Sequence, residues 1–256
     1  NWALCGVAET YRGKKDHIVT VVTEHKSILE TAHVLASRGF RVSILPVDSC
    51  GVVSLMDLER ILTPQTLLIS VMAANNEIGT IAPLAEIGKI AKRHGILFHT
   101  DAAQALGKIP LDVAAMGIDL LSAGAHKMYG PKGIGILYLR GKNPRVKIPP
   151  LLYGGGQEEG LRGGTLNVPG IVGFGEACEL AGQEMVVEQR RILQLRERLY
   201  AGLGQIALVQ GLKNIELNGP ATDRLAGNLN LSFMGVRGEA LMGQLLHLNG
   251  KFRPKR

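Results

Sequence analysis

Aromatic side chains are scarce in this sequence, 4% of residues with a single tryptophan. Cysteines are scarcer still: Cys5, Cys50 and Cys178 are an odd number, far apart, and form no C-x-x-C pair. That spacing excludes a disulfide framework and a structural zinc or other metal site. It places the protein in a reducing compartment, the cytoplasm or an organelle. No apolar run reaches the roughly 18 residues of a membrane span, so no membrane partner is expected. Acidic residues are outnumbered, and the net charge is +7. Much of the excess sits in Arg190, Arg191, Arg196 and Arg198 and in the tail Lys251, Arg253, Lys255 and Arg256. Without interleaved aromatics or a nucleic-acid motif, these charges read as a solvated basic face, with no nucleic-acid partner.

What the sequence has in quantity is glycine, 33 residues, and apolar side chains, 46% of the chain. The combination gives a loop-rich α/β protein with an ample core. Residues 18–22, 42–45, 67–72, 96–100, 118–121 and 134–139 read as strands, and 67–72 is the continuous apolar run of a strand covered on both faces. Helices are expected over 28–37, over 55–62, and from Pro83 to about His94, where Gly95 ends the last. The alternation implies a mostly parallel sheet between helical layers. Beyond it a long helical pattern runs from 171 to 203 and places Cys178 in the core. A strand over 228–233 and a helix over 239–248 follow. Residues 1–188 are expected to form a large domain and 189–256 part of a smaller α+β domain. The opening Asn1-Trp2-Ala3-Leu4 reads as helix interior without a start signal, and the octet 249–256 has no periodicity, so a fragment is expected.

Sheets of this kind gather ligands beyond the carboxyl ends of their strands. The polar words of this sequence fall there: Thr23-Glu24-His25-Lys26, Asn75-Asn76-Glu77-Ile78-Gly79, Asp101-Ala102-Ala103-Gln104, and His126-Lys127 inside the small-residue loop Ser122 to Gly133. Taken singly, Asn75 reads as a turn former, Asp101 as a helix cap, His25 as a surface histidine and Lys127 as a solvated loop residue. Taken together on one sheet edge, they are the set that pyridoxal phosphate chemistry needs. A lysine holds the aldehyde as a Schiff base, and a carboxylate keeps the pyridine nitrogen protonated so that the ring acts as an electron sink. An opposite charge at about 4 Å in an effective dielectric near 20 is worth roughly 4 kcal/mol, or about 3 pK units. Asp101 is the candidate carboxylate and Lys127 the candidate lysine. His25 offers a flat ring for the cofactor face, and Gln104 and Asn75 offer hydrogen bonds.

These words, with Gly154-Gly155-Gly156-Gln157-Glu158 and Gly160-Leu161-Arg162-Gly163-Gly164-Thr165, resemble the class V, fold-type I pyridoxal-phosphate enzymes, and most closely the cysteine desulfurases of the NifS/IscS type. The resemblance implies that Lys127 carries the cofactor and His25 stacks on its ring. It implies that Asp101 pairs with the ring nitrogen, Gln104 contacts the ring oxygen, and His126 contacts the phosphate. Asn75 would serve substrate or cofactor binding, and Thr165 would reach the cofactor phosphate of the other subunit of a homodimer. The implied reaction removes sulfur from L-cysteine to give alanine and an enzyme persulfide, which a sulfur-acceptor or iron-sulfur scaffold protein would receive. The sequence departs from the family pattern at Gly124, where a serine or threonine usually bonds the phosphate. The family's phosphate-cradling turn would precede this chain, and its arginine and mobile cysteine loop would follow it. The 256 residues are therefore expected to be inactive by themselves. The alternatives are a selenocysteine lyase or another class V enzyme, a nucleotide-binding module, and a partner-binding remnant without turnover. Gly130 to Gly135 is not a phosphate-binding Walker loop, since no GK[ST] opens a helix.

Overall fold

The computed structural model describes residues 1–209 and 215–249. The expected tail from residue 250 lies outside the described residues. A six-stranded sheet organises the chain in the order β2-β1-β3-β4-β5-β6. Its strands are β1 (His17–Val21), β2 (Arg41–Leu45), β3 (Thr66–Ser70), β4 (Leu97–Asp101), β5 (Leu120–Gly124) and β6 (Gly135–Leu139). Neighbours are parallel except β6, which runs antiparallel to β5. β1 and β3 are buried at every position, as strands covered on both faces must be, while the edge strand β2 is largely solvated.

The two faces carry different helices. α1 (Trp2–Tyr11) and α2 (Lys26–Ser37) bury Leu4, Val7, Ile28 and Leu35 against Ile18, Leu68 and Leu120. α3 (Leu55–Ile61) and α4 (Leu84–His94) bury Leu58, Ile87 and Ile90 against Val19, Ile69 and Phe98 on the other. The termini of α4 match its dipole: Glu86 lies in the first turn and Lys92, Arg93 and His94 in the last, before Gly95 at φ 61°. Each crossover is a strand–helix–strand unit until β4. The chain leaves β1 toward β2 on one side and returns to β3 on the other, so the topological switch lies between β1 and β3.

α5 (Val168–Val209) starts against the loop after β5, where Phe174 and Ala177 pack on Ala125 and Met128. Cys178, expected in the core, is exposed. One helical step of about 100° separates it from the buried Ala177, and the packed stripe is narrow. Beyond α5, β7 (Ile215–Leu217) and β8 (Leu231–Phe233) pair antiparallel, and α6 (Gly238–Asn249) follows. The strand expected over 228–233 is shorter because Asn228 and Asn230 turn their amides onto the Glu77 carbonyl. Asp223 and Leu225 complete this clasp: Leu225 donates its backbone N–H to the Gly79 carbonyl, and Ile81 donates to the Asp223 carbonyl.

Candidate functional site

Every sequence-selected residue but Thr165 stands at the carboxyl edge of one sheet, on successive neighbours. His25 follows β1, Asn75 follows β3, Asp101 ends β4, and His126 and Lys127 follow β5. With strands about 4.8 Å apart, three steps of about 14 Å separate the His25 strand from the Lys127 strand.

His25 caps α2. Its Nδ1 accepts from the Ser27 backbone N–H at 3.2 Å, which puts the proton of the neutral ring on Nε2 and fixes the ring plane. Asn75 is buried, and its amide is committed within the fold. Nδ2 donates to the Thr23 carbonyl at 3.0 Å, and Oδ1 accepts from Glu77 and Ile78. Asp101 accepts from the Ala103 N–H through Oδ1 at 2.9 Å; no helix follows it, so it closes a turn in place of the expected helix cap, and the bond occupies one oxygen only. Gln104 accepts from the Lys108 ammonium through Oε1 at 3.1 Å. Lys108 is half-buried; burial, and then the Lys127 charge, hold its ammonium below the usual lysine range.

The Lys127 loop is a tight 3-10 turn. Met128 and Gly130 both donate to the Ala125 carbonyl, and Ala125 donates to Ile134. Gly130 is required there, because a Cβ would lie 2.7 Å from that of Ala125. Lys127 and His126 are exposed. At Gly124 a Cβ would sit 3.3 Å from the His126 Nδ1, so the glycine gives the imidazole room to lean over the strand end. Lys127 and Gln104 border a cavity of about 520 Å³ with Asn76, Lys108, Tyr129 and Glu184. His25, Asn75, Asp101, His126 and Thr165 do not line it. Thr165 is exposed in a loop pinned by Arg162, which donates to the Gly164 carbonyl at 3.1 Å, and by Gln157, which accepts from Gly164 at 3.0 Å.

Two residues of this edge had no role in the sequence reasoning. Lys108 was findable from its spacing four residues after Gln104. Glu24 stands inside a quoted word, yet its burial depends on which strands are neighbours. Its Oε1 accepts the Met72 N–H, and its Oε2 is buried without a partner. Burial pushes this carboxyl up to about 8, the Asp101 charge adds to the rise, and the Met72 amide opposes it.

The described residues contain no cluster of metal-ligating side chains and no helix long and apolar enough to cross a membrane. Comparison with known proteins finds the same architecture elsewhere. The chain is 49% identical over 242 residues to a cysteine desulfurase of Mus musculus, covering 94% of this chain and 51% of that protein. It is 50% identical to the cysteine desulfurase IscS of Anaeromyxobacter dehalogenans, covering 94% of this chain and 58% of that protein. The chain thus spans about half the length of the curated relatives it matches. A solved structure of a NifS-like protein superposes with a TM-score of 0.89 at 42% identity, over 96% of this chain and 66% of that one. The aminotransferase class-V profile matches residues 1–250, and with the sheet order and the His-Lys loop in place, the chain belongs to the aminotransferase class-V family.

Proposed function

We propose that these residues form the pyridoxal-phosphate-binding part of a cysteine desulfurase. The observation that carries this is the order of the strand ends: His25, Asn75, Asp101 and Lys127 fall on four successive neighbours of one sheet edge, in a chain whose 49%-identical relative is named a cysteine desulfurase. A solved relative at 46% identity and a TM-score of 0.67, covering 70% of this chain, is described as SspA in complex with cysteine, which supports L-cysteine as the substrate.

The donor set fits the cofactor. The Asp101 Oδ2 has no protein partner among the described residues, so it can face a protonated ring nitrogen. The Lys108 ammonium can only donate, so it holds the Gln104 Oε1 and turns the Nε2 outward as a donor for the ring oxygen. Lys127 and Gln104 also border a cavity of small-molecule volume, which the other residues of the set do not line. When bound, pyridoxal phosphate supplies an aldehyde for the lysine and an electron sink for the bonds of an amino acid. Lys127 would hold it covalently and move a proton through its amine. His25 would cover the ring, and His126 would reach the phosphate. The role of Asn75 runs through the Thr23–His25 tip, which its amide ties down.

Residues 1–188 would form the large domain and 189–256 the start of a smaller one. A homodimer would bring Thr165 to the other subunit's cofactor, and a sulfur-acceptor or iron-sulfur scaffold protein would take the product sulfur. The test is spectroscopic. Protein loaded with pyridoxal phosphate should show a visible band that L-cysteine changes and L-serine leaves in place. A band indifferent to L-cysteine would remove this substrate.

A further inference from the structure

The sheet is split at its carboxyl edge between β1 and β3. Their register ends at Val19 and Ile69. Past that point β1 turns to its outer neighbour, with the Val22 N–H donating to Leu45. β3 turns the other way, with Val71 donating to His99 and Ala73 to Asp101. The Met72 N–H is left facing the gap at the topological switch with no backbone acceptor. A buried amide in that position needs a partner, and the Glu24 carboxyl supplies it through Oε1. A second stitch, Asn75 to the Thr23 carbonyl, lies beside it. Glu24 is 6% exposed, and its Oε2 sits in the gap with no partner.

We propose that Glu24 is a positioning residue of this site: as a neutral carboxylic acid it stitches the split between β1 and β3, and so fixes the His25 tip against the end of β3, the neighbour of the strand that carries Asp101. The proposal deepens the pyridoxal phosphate reading and rests on it for the link to the cofactor. The chemistry favours the neutral form. A carboxylate with one hydrogen bond, buried and near a second carboxylate, carries a desolvation cost and a like-charge cost together. The groups around it offer little relief. The segment after β3 presents the Met72 amide, β4 presents Asp101, and the charged groups of its own segment, His25 and Lys26, are exposed. Burial and the Asp101 charge accordingly raise Glu24 to about 8 from an ordinary value of 4.5.

The sign of the pH effect follows. The folded chain holds this proton more tightly than the unfolded chain. The stability Glu24 lends is therefore complete below about 4.5, falls as pH rises, and is spent above about 8. Glutamine keeps an acceptor for Met72 and never ionises. The experiment measures the midpoint of thermal unfolding of the 256-residue chain without cofactor from pH 5 to 9, for the parent, Glu24→Gln and Glu24→Ala. Pyridoxal phosphate binding is titrated at pH 7 and pH 9 on the same samples. The parent should lose stability between pH 5 and 8 by an increment that Glu24→Gln lacks. Glu24→Gln should bind cofactor like the parent at pH 7 and better than it at pH 9. Glu24→Ala, which leaves the Met72 amide unpaired, should bind about tenfold more weakly than Glu24→Gln at both and about tenfold more weakly than the parent at pH 7. A parent and Glu24→Gln with the same pH slope would overturn the neutral stitch. Glu24→Ala with parental affinity would overturn the positioning role, and if that variant fails to fold, Glu24→Gln decides at pH 9. A folded parent that binds no pyridoxal phosphate would instead remove the cofactor reading, and the slope, measured without cofactor, would still judge the protonation of Glu24.

Discussion

A primary amide serves a binding site only when its two ends are told apart, and in Gln104 a lysine does the sorting. Lys108 has no acceptor to offer, so the amide oxygen must face it and the Nε2 must face away. His25 is sorted the same way by the Ser27 N–H, and Asp101 by the Ala103 N–H. Each of these three side chains thus spends one atom on a local backbone or side-chain bond and keeps another for a ligand. Asn75 is the exception, since both ends of its amide are spent inside the fold. The thiols are placed differently. Cys5 is on α1, Cys50 precedes the turn at Gly51, and Cys178 is on the solvent side of α5; none borders the Lys127 cavity. Sulfur transfer needs a thiolate that reaches the substrate sulfur. The 256-residue chain with pyridoxal phosphate and a reductant should therefore release no sulfide from L-cysteine above the cofactor-only background. Robust release that vanishes on Cys50→Ser or Cys178→Ser would show that one of these thiols reaches the site.

At the scale of elements, what the sequence makes legible is whatever depends on local pattern. The apolar run of β3, the helix from Pro83 to Gly95 and the polar words after each strand all sit within a few residues of expectation. What it hides depends on contact between distant segments. The antiparallel direction of β6 is not written in Gly135–Leu139, because an apolar run has no polarity. β5 lies later than the apolar run 118–121, over Leu120–Gly124, because its register is set by β4, with Asp101 opposite Ser122. The exposure of Cys178 turns on one helical step, and the burial of Glu24 turns on β1 lying beside β3. Close approach is hidden in the same way. Gly88 on α4 lies against the turn before β5, and a Cβ there would come 1.9 Å from the Met116 carbonyl oxygen. Gly88→Ala should cost roughly 1–3 kcal/mol, since the backbone must shift. Gly182→Ala on α5, where nothing lies within 4 Å, should stabilise by up to about 1 kcal/mol through helix propensity. Urea unfolding of both variants checks the pair; equal effects would mean that α4 does not pack as described.

At the scale of the whole molecule, the proposed site is the carboxyl edge of one sheet. Its central strands are buried, its helices lie on the faces, and the candidate polar groups stand where the strands end. Thr165 stands outside that edge, which fits a role across a dimer. Mixing Thr165→Ala protomers with Lys127→Ala protomers should give heterodimers with one intact site, holding one equivalent of pyridoxal phosphate as tightly as the parent does. Heterodimers that hold it no better than the Thr165→Ala homodimer would place each site within one subunit. The claim beneath all of this is that Lys127 is the cofactor lysine. Borohydride reduction of the protein with pyridoxal phosphate, followed by peptide mass mapping, tests it directly. The label should fall on the peptide that carries Lys127 and should disappear in Lys127→Ala, while a parental label on Lys26, Lys108 or Lys132 would contradict the assignment.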